Sequence, residues 1–253
     1  MAKKSNRTKK EDRRSFLWRG RELPLLVVWE SRRSIRMALG KKEIILRLPS
    51  GLLMRPKLED VLVNLGIWLD KLERKKPGLM DRFEERVYAD GQMLQVGSRR
   101  YALQVRTEPR LTHTASLKKG IIELRLADSD GGASLQKNIR TLLSRVVASD
   151  FLPEITRRTH QLNELHFSKP IKSVTLRYAH GRWGSCSSSG RINFSTRLLF
   201  APPFVVDYVI IHELAHLLEH NHSDRYWKIV EKAMPAYEEA EKWLKENGHQ
   251  CDF

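Results

Sequence analysis

His212, Glu213 and His216 stand in the order His-Glu-x-x-His, a spacing that can hold a metal ion and a proton acceptor together. On a helix, residues four apart share a face with Cβ atoms about 5 to 6 Å apart, so the two imidazoles converge on one ion. Glu213, one position on, is turned away by about 100°. It is poorly placed as a ligand and well placed to hydrogen-bond a water held by that ion. This is the pattern of zinc-assisted hydrolysis, in which the metal acidifies the water and the carboxylate takes its proton.

A tetrahedral catalytic zinc takes a third protein ligand and keeps one open position. His220 and His222 are the candidates. His220 lies about 12 Å along the axis from His212 at 1.5 Å per residue, too far for three imidazoles of one straight helix to meet. His222 follows Asn221, which tolerates the left-handed conformation that ends many helices, and precedes Ser223, a good N-cap. A chain reversal there swings His222 back over the site. The expected ligands of one zinc per chain are therefore His212, His216 and His222.

The flanking sequence supplies elements to hold these groups. Val205, Val209, Ile210, Leu214, Ala215 and Leu217 suit a buried helix that Pro203 opens. Asp224 to Met234 and Ala236 to Asn247 read as two helices split by Pro235, with Tyr226 and Trp227 packing on the metal helix and holding His222. Upstream, Val174 to Tyr178, Gly184 to Ser187 and Arg191 to Ser195 read as three strands. A sheet beside the metal helix can accept an extended peptide as an added strand, with Arg182 and Trp183 near its edge. Arg182 is a candidate for stabilising developing negative charge, although a structural salt bridge is the commoner use of such a residue. Cys186 has no nucleophile signature around it and reads as a small buried hydrophobe.

These residues carry a family resemblance. The string Arg182-Trp183-Gly184-Ser185-Cys186-Ser187, the short Gly-Arg-Ile connection, Pro202, Asp207-Tyr208-Val209, His-Glu-Leu-Ala-His, Asn-His-Ser and Tyr226-Trp227 resembles the YgjP-like metallopeptidases, relatives of the SprT-like and Wss-type zinc peptidases. Asp90-Gly91, Gly97 and Tyr101 extend it to a hairpin region, so that it spans about residues 25 to 245. The resemblance implies a minimal zincin-type catalytic domain and supports His222 over His220 as third ligand. Two departures stand out. Ser195 and Thr196 occupy places where relatives often carry Asn and Trp, beside the substrate, and Tyr226 replaces the more usual Phe, a conservative packing change.

Upstream of the site, Leu23 to Trp29, Ser34 to Leu39 and Glu43 to Leu48 are short β-compatible runs, consistent with a small antiparallel sheet. Leu58, Val61, Leu62, Leu65, Trp68, Leu69 and Leu72 recur at helical spacing after Pro56. Strands return from Val87 to Leu126 with a hairpin at Gly97-Ser98, and a second helix begins near Leu135, which Pro153 is expected to kink or break. The basic residues scattered through that helix, Arg157 and Arg158 among them, read as a solvated face.

The expected fold is α+β: a basic, disordered tail over residues 1 to 20, a β-rich region with one helix over 21 to 133, and a zincin-like domain with a small antiparallel sheet over 134 to 253. In 253 residues there is no apolar run long enough to span a bilayer. Two cysteines are too few for a disulfide framework, and no hydrophobic region follows the basic start. The expected compartment is the cytoplasm. Net charge is +16, of which nine basic residues against two acids lie between Met1 and Arg21. That tail makes nucleic acid a candidate partner.

The leading expectation is a zinc metallopeptidase acting on protein or peptide, with Glu213 as general base. The alternatives are a basic nucleic-acid-associated protein, including a protease acting on DNA-bound proteins, and a zinc hydrolase of a small amide.

Overall fold

A computed structural model describes residues 9–40, 42–51, 55–83 and 86–253. The chain divides into two compact units, up to Glu85 and from Arg86 onward, a different place from the boundary expected between residues 133 and 134.

In the first unit, β1 (Lys10–Trp18) and β2 (Arg21–Glu30) form a hairpin. Its two-residue turn has both φ positive, 50° at Arg19 and 77° at Gly20, the backbone that matches the twist of paired strands. β3 (Arg36–Leu39) and β4 (Ile44–Pro49) complete a sheet of order β1-β2-β4-β3. Residues 1–8 of the basic tail, and any nucleic-acid contact through them, lie outside the described residues. From Lys10 the tail is strand instead of disordered, because Phe16 and Trp18 alternate towards the core while the charged residues Lys10 to Arg14 before them lie along the sheet edge. The helix α1 (Leu58–Lys75) lays Val61, Leu65 and Leu69 on Leu25, Val27, Ile44 and Leu46.

The expected antiparallel sheet is in fact mixed. β2 and β4 run parallel, and β3 returns at the outer edge. Ile44, Leu46 and Leu48 are fully buried, so β4 belongs at the centre and the more exposed β3 outside it.

The second unit opens with the same plan. β5 (Met93–Val96), β6 (Arg99–Glu108), β7 (Thr114–Lys118) and β8 (Ile121–Ala127) stand in the order β5-β6-β8-β7 with the same pairing directions, again followed by a helix. That helix, α2 (Gly132–His166), continues through Pro153. The missing N–H costs one bond. Leu143, Val147 and Phe151 before the proline and Ile155 and Leu162 after it nevertheless enter one core, and their burial outweighs the break.

α2 packs on β9 (Ser173–Arg177), which pairs in parallel with β11 (Arg191–Ser195); β10 (Gly184–Cys186) pairs antiparallel with β11 at the edge. This sheet too is mixed. α3 (Pro203–Ala215), α4 (Asp224–Ala233) and α5 (Tyr237–Asn247) follow. Arg158 does more than face solvent: its Nε and Nη2 each donate to a carboxylate oxygen of Asp207 at 2.7 Å, clamping α2 to the first turns of α3. No helix among the described residues is long and apolar enough to cross a membrane.

Candidate metal centre

α3 is apolar on almost every side, with Val205, Val209, Ile210, Leu214 and Ala215 buried, as a helix enclosed by other elements must be. Pro203 opens it where a missing N–H costs nothing. It closes at His216, whose successors Leu217 and Leu218 bond back to Leu214 and Ala215. The chain then reverses, and the Ser223 hydroxyl caps α4 by accepting from the Tyr226 N–H at 3.4 Å.

The reversal brings His222 to α3. One ligand atom from each of His212, His216 and His222 lies within 4.8 Å of the others. His220, beyond the end of α3, is outside this group. The Nε2 atoms of His212 and His222 are 3.2 Å apart, close to the ~3.3 Å edge of a tetrahedron with metal–nitrogen bonds near 2.05 Å.

The imidazoles are also in the right chemical state. Burial, and then the neighbouring imidazoles His216 and His222, push His212 down to about 4. Burial likewise lowers His216, against an opposing hydrogen bond to the Glu219 carbonyl. Both rings are neutral near pH 7, as metal ligands must be. The Nδ1 of His216 is 3.1 Å from that carbonyl, so it donates and leaves Nε2 to face the cluster. These residues fit a divalent metal.

A supporting chain holds His212. Its Nδ1 is 3.5 Å from the Tyr208 hydroxyl, which donates to Glu241 Oε1 at 2.8 Å. Carboxylate, phenol and imidazole thus follow one another, with the far nitrogen turned to the cluster. Tyr208 sits four residues before His212, a signal present in the helical spacing and overlooked. Glu241, on α5, had no such signal. Tyr226 stacks on His216 with ring centroids 4.8 Å apart, and its hydroxyl donates to the His212 carbonyl at 2.9 Å. Trp227 lies 5.9 Å from His222, ring to ring.

Glu213 and His212 together line a partly open pocket of ≈ 360 Å³, whose other walls include Arg182, Trp183, Val209 and Leu244. Its side chain is 5% exposed, and burial pushes its carboxyl up to about 7, the nearby Arg182 charge pulling the other way. Gly184 makes room for it: a Cβ there would lie 2.5 Å from Glu213 Oε1. Among the described residues no carboxylate stands within ion-pair distance of Arg182, so the salt bridge expected for it is not formed there.

Ser195 and Thr196 do not line this pocket. They are 1% and 0% exposed; Ser195 Oγ donates to the Ala179 carbonyl at 2.8 Å and Thr196 Oγ1 bonds to Ser144 Oγ at 2.9 Å. Both hydroxyls are used inside the fold. Cys186 is half-buried, its thiol pushed up to about 11 by burial and then by Glu213.

The arrangement of three clustered imidazoles and a buried carboxyl can be compared with known proteins. The profile of the YgjP-like, metallopeptidase domain matches residues 33–247. The chain belongs to the YgjP-like metallopeptidase family. That membership implies a divalent metal. Among solved structures the chain is similar to the metallopeptidase zymogen of Pyrococcus abyssi abylysin, with 22% identity over 36% of this chain and 93% of that one and a TM-score of 0.33. It is also similar to the zymogen of Methanocaldococcus jannaschii jannalysin, with 15% identity over 36% and 94% and a TM-score of 0.32. The curated proteins contain no match.

Proposed function

We propose that this YgjP-like chain is a zinc-dependent peptidase that cleaves peptide bonds with Glu213 as its general base. The observation that carries the reading is the cluster of His212, His216 and His222 ligand atoms within 4.8 Å, with the buried Glu213 carboxyl one residue along α3.

His212, His216 and His222 would hold the zinc, which supplies Lewis-acid polarisation of the scissile carbonyl and acidifies water. Glu213 accepts the proton of the attacking water and returns it to the leaving amine. A carboxyl pushed up to about 7 is matched to both halves of that transfer near neutral pH. Tyr208 and Glu241 fix the ring of His212 during the reaction, and Tyr226 fixes its backbone. The cationic Arg182 lines the same pocket and opposes negative charge that develops there.

Strand β10 lies at the edge of its sheet and contacts α3. An extended substrate can pair with that edge through main-chain hydrogen bonds, which favours a peptide or protein segment over a small amide. The test is Glu213→Gln, which removes the proton acceptor and keeps size and hydrogen bonding. Zinc content should remain at the wild-type level and hydrolysis of a casein or peptide substrate should fall by about 10² to 10⁴-fold. Undiminished hydrolysis would remove Glu213 from the reaction.

A further inference from the structure

Arg197, 7% exposed, sits in the short 3-10 turn Thr196–Phe200 and donates to three backbone carbonyls. Its Nε reaches Cys251 at 2.7 Å, its Nη2 reaches Gly248 at 2.7 Å and its Nη1 reaches His180 at 2.8 Å. The same guanidinium lies 4.7 Å from the centroid of the Trp183 ring. Five fixed donors in a plane suit an arginine, and no other side chain, to join three segments and an aromatic face at once.

The segment it anchors presses on that indole. A Cβ at Gly248 would lie 2.5 Å from the Leu244 carbonyl oxygen and 2.6 Å from Trp183 Cζ2, so the position admits no side chain while the end of α5 and the ring both stay in place. The segment is seated independently by Phe253, 1% exposed and 4.9 Å edge-on from Phe200, and by the Tyr178 hydroxyl donating to Asp252 Oδ2 at 3.1 Å. The Trp183 carbonyl in turn accepts from the Ser195 N–H at 2.8 Å. Backbone and ring of Trp183 are both tethered.

This ring is a wall of the pocket that holds Glu213. Val209 and Leu244 add apolar surface to it. Arg182 and Lys245 line the pocket as cations, and Glu213 and Glu241 as carboxyls, so the lining carries both signs equally and favours neither an acidic nor a basic side chain. What remains favourable is contact with a flat, desolvated indole.

We propose that this pocket receives one apolar side chain of the substrate beside the scissile bond, that Trp183 is its specificity-determining wall, and that Arg197 and Gly248 are positioning residues that hold the indole there. The proposal rests on the peptidase reading for the nature of the substrate, but its test does not depend on cleavage.

The zinc-loaded protein is titrated with N-acetyl-leucinamide, N-acetyl-phenylalaninamide, N-acetyl-aspartamide and N-acetyl-lysinamide while the Trp183 indole N–H is followed by NMR. That resonance is identified by its loss in Trp183→Phe. The leucine and phenylalanine amides should shift it at concentrations about tenfold lower than the charged amides. Gly248→Ala should weaken their binding by about tenfold with zinc per chain unchanged. Equal binding of apolar and charged amides, an indole that none of them moves, or wild-type binding by Gly248→Ala would each overturn the proposal, even if peptides are cleaved. Selective binding of the apolar amides without cleavage of any peptide would leave the pocket standing and sink the peptidase reading instead.

Discussion

The Tyr226 hydroxyl donates a 2.9 Å hydrogen bond to the carbonyl oxygen of His212, tying the helix after the chain reversal to the helix before it. The Tyr in place of Phe therefore adds more than packing. It satisfies a carbonyl in the last turn of α3, where helical partners run out. Tyr226→Phe should keep the ring on His216 and lose about 1 kcal/mol of stability, read by urea denaturation of the zinc-loaded protein. An unchanged midpoint would show that the bond contributes nothing.

Tyr208 and Glu241 orient His212 without touching the metal position. Partners of this kind typically contribute 10 to 100-fold in metal affinity. Tyr208→Phe and Glu241→Gln are each expected to weaken zinc binding by about that factor, measured by competition with a chromogenic chelator. Because they act in one chain, the double variant should lose little more than the worse single one. Full additivity would mean that the two act separately.

Gly184 is expected to be intolerant of any side chain. The Cβ of Gly184→Ala would overlap the Glu213 carboxyl, which must swing away from the pocket, while the three histidines stay as they are. Hydrolysis should fall by about 10²-fold or more with wild-type zinc content. Loss of zinc in step with activity would point to a general collapse of the site.

With its thiol pushed up by burial from the usual thiol range to about 11, Cys186 is protonated at pH 8. Iodoacetamide reacts with the thiolate, so labelling of Cys186 in the folded, zinc-loaded protein should be about a hundredfold slower than of a free cysteine, since each pKa unit is a factor of ten. Peptide mapping by mass spectrometry gives the rate. Rapid labelling of Cys186 would contradict the burial that keeps it protonated and reopen a nucleophilic role for it.

What was legible in the sequence was local. The apolar period of Leu58 to Leu72 marks α1, Gly97-Ser98 marks the turn between β5 and β6, and the four-residue interval from His212 to His216 marks one helix face. The turn chemistry of Asn221 and Ser223 pointed to the reversal that brings His222 beside His212. What escaped was set by distant partners. The parallel pairings of β2 with β4, β6 with β8 and β9 with β11 depend on which strand fills the middle of each sheet. The passage of α2 through Pro153 depends on a core shared by both halves of the helix. β1 is hidden because its charged residues suit an edge strand as well as a solvated tail. Glu241 and Arg197 become functional candidates only through contacts made 33 residues away for Glu241 and 17 to 54 residues away for Arg197.

The most direct test of the account is zinc per chain, by elemental analysis of protein purified without chelator or metal-affinity resin, in wild type, His220→Ala and His222→Ala. The account predicts about one zinc in wild type and in His220→Ala, and little in His222→Ala, as expected when one of three protein ligands is removed. Equal zinc in His222→Ala and wild type, or none in wild type after reconstitution, would contradict the three-histidine centre on which the proposed chemistry depends.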